Sequence, residues 1–126
     1  MKEIDAFFME HGRKLDEYTE RAEMPMWVIP YFAKMGLGAI TISKKYGGPG
    51  WLDFEQFALL YAIAKWDASL FTFVGVHNTL CAASIQHAGN EEQKQRMLTK
   101  LATFEKVGAF GLTEHNHGSD SVMLEC

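Results

Sequence analysis

The stretch from residue 54 to residue 87 restricts the fold more than any other part of the chain, because it is apolar along most of its length. Asp53 and Ser69 can act as N-caps, which predicts helices over residues 54–66 and 70–87. The first helix is apolar on almost every side, and such a helix must be buried on every side. We therefore expect the pair at the centre of a helical bundle. Their apolar surplus fits a well-buried hairpin, a slot for an apolar ligand or a large partner surface.

Periodicity, capping residues and glycines predict three more helices, over residues 3–22, 25–35 and 91–102. Pro25 suits the first turn of the second helix, and Asn90 with Gln93 makes a capping box for the last one. Five glycines fall between positions 36 and 50, which predicts a loop there. Together these elements predict an all-α fold, a helical bundle over residues 1–103.

The remaining residues, 104–126, have a different pattern. The apolar run from Phe104 to Leu112 is typical of a strand, and Gly118, Ser119 and Asp120 then predict a turn. A strand edge followed by a Gly-Ser turn presents backbone N–H groups and hydroxyls that can hold anions or the polar edge of a cofactor, although an ordinary surface turn has the same pattern. We therefore expect a short β or irregular tail that begins a second domain. Because the chain offers no second strand of comparable quality, this tail is expected to be poorly ordered or to pair with another chain.

Composition and charge exclude several classes of function. The net charge of −4 and the absence of a basic run give no electrostatic reason to expect binding to nucleic acid or to an anionic membrane. By the sequence pattern no apolar stretch reaches the ~18 residues of a membrane helix, so we expect no membrane insertion. The N-terminus is too charged for a secretory signal. Cys81 and Cys126 show neither a disulfide pattern nor metal-ligand spacing, which favours the cytoplasm.

The histidines near the C-terminus raise the question of a metal site. His115 and His117 flank Asn116 beside Glu114, but no third strong ligand accompanies them, and we expect no bound metal. His77 lies in an apolar helix, where a histidine is usually a core or rim residue with its hydrogen bonds satisfied.

Three ordered motifs carry a resemblance to a known family. The run GAFGLTEHNHGSD, residues 108–120, resembles the flavin-contacting signature of the acyl-CoA dehydrogenases, (F/A)-x-L-T-E-x-x-x-G-S-D. ITISKKYGGPGWL, residues 40–52, resembles the family's L-x-I-P-E-x-Y-G-G-x-G loop. DASLFTFVGVHNTL, residues 67–80, together with residues 88–114, resembles its middle helices and the step into its β-domain. The chain departs from the family at Ser43, where proline is preferred, and at the three residues that follow Glu114.

The resemblance implies an FAD-dependent α,β-dehydrogenation of an acyl-CoA thioester. Phe110, Leu112 and Thr113 are expected to line the flavin ring, with backbone amides and the Thr113 hydroxyl facing its pyrimidine side. Gly118 and Ser119 are expected to approach the pyrophosphate and the CoA thioester arm, so that Ser119 also belongs to the substrate site. In such enzymes the flavin carries out the redox step, and the protein binds it, orients it and supplies the electrostatic environment.

The resemblance also implies an acyl-tail lining on the fourth helix. The expected lining residues are Phe71, Thr72, Gly75, Val76 and Leu80. Glutaryl-type relatives carry an arginine where Phe71 stands, so an apolar acyl tail is expected rather than a dicarboxylyl substrate. An electron-transfer flavoprotein is the implied redox partner.

The resemblance implies that the catalytic carboxylate lies beyond the end of this chain, so no catalytic residue is expected within it and the chain alone is expected to be inactive. It would then be the N-terminal portion of such an enzyme, and its uncovered apolar helices would favour a homo-oligomer. The alternatives are a helical binding or assembly module that keeps the fold without the chemistry, or a fragment of an acyl-CoA oxidase-like or glutaryl-CoA dehydrogenase-like enzyme.

Overall fold

The computed structural model describes residues 1–125, and within that range the chain is helical with no strands, so the all-α prediction is confirmed. Its α-helices are α1 (Lys2–Glu20), α2 (Ile29–Lys34), α3 (Asp53–Ala64), α4 (Ala68–Gly75), α5 (Ala83–Ala88) and α6 (Glu91–Ala102). A π-helical segment, Val76–Ala82, joins α4 to α5 without a break, and short 3₁₀ turns occur at Met26–Val28 and Lys44–Tyr46.

The first residue of a predicted helix is correct at α6, where the capping residues are close together in the sequence. The Asn90 side chain accepts from the Gln93 N–H, and the Gln93 side chain accepts from the Asn90 N–H, both at 2.9 Å, so the predicted capping box is confirmed. The fourth helix begins earlier than predicted, because Asp67 rather than Ser69 is its cap: the Asp67 carboxylate accepts from the Leu70 N–H at 2.8 Å. Asp53 is likewise the first residue of α3 and not its cap.

The main core lies between α1, α2, α3 and α4. Its fully buried members include Phe32, Ile63 and Val74, each with 0% of its surface exposed. The expectation that α3 is buried on every side is wrong within this chain. Phe54 and Phe57 are 81% and 73% exposed, because only one side of α3 packs against α1 and α4. The opposite side remains as an uncovered apolar stripe.

The tail leaves α6 at Phe104, which has a positive φ of 55° and donates its N–H to the Leu101 carbonyl at 3.0 Å. The predicted strand from Phe104 to Leu112 is wrong in the described part of the chain. A strand needs a neighbouring segment to accept and donate its backbone hydrogen bonds, and residues 1–125 supply none. The tail is therefore irregular, with a bend at Gly118 and Ser119.

The continuous helix Ala68–Ala88 is long and apolar enough to cross a membrane by length and composition, and 28% of its most apolar 18-residue stretch is buried. The sequence argument that no stretch reaches that length is therefore too strong. The core helix of a water-soluble protein passes the same test, so one such helix is weak evidence for membrane insertion.

Candidate functional site

The helix Ala68–Ala88 presents the predicted acyl-lining residues on one side. Phe71, Thr72 and Leu80 are exposed, and Val76 is half-buried. A β-carbon added at Gly75 would meet no atom within 4 Å, so this side of the helix borders open space. These residues share a face because they recur at helical spacing.

The opposite side of this helix buries two consecutive polar residues, His77 and Asn78, both fully. The Asn78 amide donates to the Leu37 carbonyl at 2.8 Å and to the Val74 carbonyl at 2.9 Å. The Asn78 side-chain oxygen accepts from the Thr41 N–H at 3.5 Å, and the Asn78 backbone carbonyl accepts from the Thr41 hydroxyl at 2.9 Å. A buried asparagine is stable only when its amide is satisfied in this way, so Asn78 fixes the loop of residues 37–41 to the helix.

His77 forms hydrogen bonds with three other parts of the chain. Its Nδ1 accepts from the Gly108 N–H at 2.9 Å, and its Nε2 lies 3.1 Å from the carbonyl oxygens of both Gly38 and Leu101. Because an N–H can only donate and a carbonyl can only accept, the ring carries its proton on Nε2 and is neutral. Burial lowers the pKa of His77 below its ordinary value of 6.5, although the two carbonyls partly oppose that effect.

The π-helical segment explains how neighbouring residues can both point inward. It adds a residue to the helical turn and shifts the side-chain positions, and such segments often mark functional sites. The expectation that His77 is a satisfied core residue is confirmed. The role of Asn78 was missed. The signal that could have revealed it was an adjacent polar pair within an otherwise apolar helix.

Gly108, the first residue of the predicted flavin signature, lies against the π-helical segment. A β-carbon at this position would lie 2.7 Å from both Cβ and Sγ of Cys81. Any larger residue would therefore push the tail away from the helix. The close approach and the hydrogen bond to His77 fix the start of the signature on the helical domain.

The residues that follow Gly108 are exposed. Phe110 and Leu112 are 43% and 40% exposed, and Thr113, Gly118 and Ser119 are also at the surface. Within residues 1–125, no hydrogen bond or aromatic contact connects these predicted cofactor residues with the predicted acyl-lining residues. The structure therefore shows both sets on accessible surfaces without joining them.

Glu114 closes the signature with a small turn. Its backbone N–H donates to the His117 carbonyl at 2.9 Å, and its carboxylate accepts from the Glu125 N–H at 2.7 Å. The Glu125 carboxylate in turn lies 3.5 Å from the His117 ring. These contacts give Glu114 a structural role at the end of the signature.

Comparison with known proteins identifies the family. The profile of the acyl-CoA dehydrogenase N-terminal domain matches residues 1–105. The chain belongs to the acyl-CoA dehydrogenase family. It is 37% identical over 105 residues to a short-chain-specific acyl-CoA dehydrogenase of Clostridium acetobutylicum, covering 83% of this chain and 28% of that protein. It is 38% identical over 111 residues to a mitochondrial short/branched chain specific acyl-CoA dehydrogenase of Bos taurus, covering 88% and 26%.

Solved structures agree with this assignment. A chain in the structure of the electron transferring flavoprotein of Acidaminococcus fermentans superposes with a TM-score of 0.85 at 29% identity, covering 97% of this chain and 33% of that one. The butyryl-CoA dehydrogenase of Megasphaera elsdenii superposes with a TM-score of 0.64 at 34% identity, covering 75% and 25%. The chain thus spans between a quarter and a third of the length of these relatives.

The flavin implied by the family can be tested against the tail of this acyl-CoA dehydrogenase domain. In the described part of the chain, the N–H groups of Leu112 and Thr113 and the Thr113 hydroxyl have no hydrogen-bond partner. An isoalloxazine edge carries nitrogen and oxygen acceptors that such donors suit. A β-carbon at Gly118 would also meet nothing within 4 Å, which leaves room for a phosphate. The residues present therefore fit the cofactor chemically.

Proposed function

We propose that this chain is the N-terminal portion of an FAD-dependent acyl-CoA dehydrogenase, supplying the acyl-facing helix and the segment that contacts the flavin. The observation that carries the proposal is the attachment of Gly108, where the flavin signature begins, to Ala68–Ala88, the helix that carries the predicted acyl lining. When bound, the flavin would accept the hydride that the reaction removes from the acyl chain.

The chain's own residues would bind and orient in this scheme. The exposed N–H groups of Leu112 and Thr113, with the Thr113 hydroxyl, would donate to the flavin edge. Gly118 and Ser119 would lie against the pyrophosphate and the CoA arm. Phe71, Thr72, Gly75, Val76 and Leu80 would exclude water from the acyl tail, because they form one face of a largely apolar helix.

Turnover needs a base that removes the α-proton, and a general base contributes on the order of 10²–10⁴-fold to such a step. No residue of this chain matches the family's base, so we propose that the chain alone has no dehydrogenase activity. The family also supports acyl-CoA and an electron-transfer flavoprotein as partners, and the exposed stripe on α3 supports a homo-oligomer. We also propose that the chain divides into a helical domain, residues 1–103, and the start of a second domain, residues 104–126, and that it is located in the cytoplasm.

A fusion tests the proposal. This chain would replace the matching segment of the butyryl-CoA dehydrogenase of Megasphaera elsdenii, and flavin content and dye reduction with butyryl-CoA would be measured. We expect bound FAD and turnover in the fusion, and neither turnover nor dye reduction above the free-flavin rate for the chain alone. A folded fusion that binds no flavin would contradict the proposal.

The same fusion can locate the acyl tail. Gly75→Leu adds a side chain to open space and removes a helix-weakening glycine, so the fold should tolerate it. If the acyl tail lies on this face, the variant should lose affinity for long acyl-CoA more than for acetyl-CoA. Ser84→Leu, at an exposed position on α5, is the matched control. Equal affinities for both chain lengths in the Gly75 variant would place the tail elsewhere.

The second candidate is a helical assembly module that keeps the fold without the chemistry. The apolar stripe of Leu52, Phe54, Phe57 and Tyr61, all more than 70% exposed, favours it. Titration of the isolated chain with FAD and with an acyl-CoA, followed by light scattering, separates the two. Tight self-association with no binding of either ligand, and no flavin in the fusion, would favour the assembly module.

A further inference from the structure

His77 occupies the point where three segments of the chain meet. Its Nε2 side faces the carbonyls of Gly38 and Leu101, and its Nδ1 side faces the Gly108 N–H. The first two contacts lie within the helical domain, and the third belongs to the tail. One neutral imidazole thus uses both ring nitrogens, one as a donor and the other as an acceptor, to join the tail to the domain.

Two further contacts hold the same part of the tail. The Phe104 ring lies 4.4 Å from the imidazole and stacks on Phe73 at 5.8 Å, between ring centroids. Gly108 approaches Cys81 so closely that no β-carbon fits between them. Residues 104–108 therefore have a fixed path across the helix, whereas Phe110 to Thr113 continue into exposed positions.

We propose that His77 is a positioning residue for the flavin-contacting segment: its Nδ1 holds the Gly108 N–H and so fixes the direction in which Phe110 to Thr113 leave the helix. The proposal rests on the proposed function for its ligand, a flavin, and on this chain alone for the hydrogen bond. A buried neutral imidazole needs a donor for its acceptor nitrogen, and here the tail supplies that donor: the Gly108 nitrogen lies 2.9 Å from Nδ1.

Two substitutions separate the two sides of the ring. In His77→Gln, the side-chain amide can still donate towards Gly38 and Leu101 but has no acceptor near Nδ1. In His77→Asn, the side-chain oxygen can still accept from Gly108, but the donor towards the two carbonyls is lost. His87→Gln and His87→Asn make the same changes at an exposed histidine of the same continuous helix and serve as matched controls.

Amide hydrogen exchange of the full chain is the first measurement. We expect His77→Gln to speed exchange at Gly108 about fivefold or more, the effect of losing one hydrogen bond, with little change at Val74. His77→Asn should preserve protection at Gly108 better than His77→Gln, even though it destabilises the domain. Equal exchange at Gly108 in wild type and His77→Gln, or equal losses in both variants, would overturn the proposal.

Flavin binding is the second measurement, made on the same variants in the fusion enzyme. We expect His77→Gln to weaken FAD binding and shift the flavin absorption spectrum, and His77→Asn to restore part of both. Faster exchange at Gly108 with unchanged flavin affinity would overturn the positioning role. A wild-type fusion that binds no FAD would instead contradict the proposed function, while the exchange data still decide whether His77 anchors the tail.

Discussion

Replacing Asn78 with leucine tests whether the buried polar pair holds the π-helical segment in place. Leucine has the same branching and the same number of side-chain heavy atoms, so the substitution removes hydrogen bonds without opening a cavity. It leaves the Leu37 and Val74 carbonyls without the donor that now lies 2.8 and 2.9 Å away. Each buried group left unpaired costs about 1–3 kcal/mol, so for two groups we expect the free energy of unfolding to fall by about 2–6 kcal/mol. That is a large share of the ~5–15 kcal/mol of a typical domain.

Urea denaturation followed by circular dichroism measures this change. Thr79→Ala is the control, because Thr79 follows Asn78 in the π-helical segment but is exposed, and its hydroxyl donates only to the Gly75 carbonyl. We expect the control to change the free energy of unfolding by no more than about 0.5 kcal/mol. A second variant, Asn78→Asp, keeps the shape but turns the amide donor into a carboxylate facing two carbonyls. It should be more destabilising at neutral pH than at mildly acidic pH, where the protonated acid can donate again. If Asn78→Leu were as stable as wild type, the hydrogen bonds of Asn78 could not be what fixes the segment.

Three other measurements examine the tail, the buried histidine and the exposed stripe. Gly108→Ala should either lower the free energy of unfolding by about 1–3 kcal/mol or release the tail from the helix, because the added methyl group would overlap Cys81. Unchanged stability together with unchanged proteolysis of the tail would contradict this prediction. Because burial lowers the pKa of His77, the unfolded state binds more protons than the folded state below pH 6.5, so the free energy of unfolding should fall as the pH drops from 6.5 to the lower pKa of the folded state. His77→Gln should remove this pH dependence. An equal slope of stability against pH in wild type and variant would refute the role of His77. Phe57→Glu, at an exposed position, should leave the free energy of unfolding within about 0.5 kcal/mol of wild type and reduce self-association in light scattering. Ile63→Glu, at a buried position, should unfold the domain. A Phe57→Glu protein that still associates would exclude the stripe as the interface.

The helices were predictable where their signals are local. Asn90 and Gln93 form a capping box three residues apart, and the structure shows both of its hydrogen bonds. The start of the fourth helix was harder, because Asp67 and Ser69 are both good caps and only the path of the preceding turn decides between them. Periodicity locates a helix well, and it locates the first capped residue less well.

Two errors share a cause that lies outside the local sequence. The pattern of α3 predicts burial on every side, but burial depends on what surrounds the helix, and this chain covers only one side. The run from Phe104 to Leu112 has strand composition, but a strand forms only beside another one. Both patterns indicate what the residues need from a neighbour. Neither indicates whether residues 1–125 contain that neighbour.

Gly108 and Gly118, two of the three glycines in the flavin signature, have different structural reasons for being glycine. At Gly108, a β-carbon would collide with Cys81, so this chain's own helix accounts for the glycine. At Gly118, a β-carbon would meet open space, so nothing in the described residues requires the glycine there. If a flavin is bound, contact with that ligand must be the reason that position 118 needs a glycine. Gly118→Ala should therefore leave the isolated chain as stable as wild type and weaken FAD binding only in the fusion enzyme. Gly108→Ala should affect both. A Gly118→Ala fusion with unchanged FAD affinity would remove Gly118 from the cofactor site and leave Gly108 as the one glycine of the pair with a physical reason.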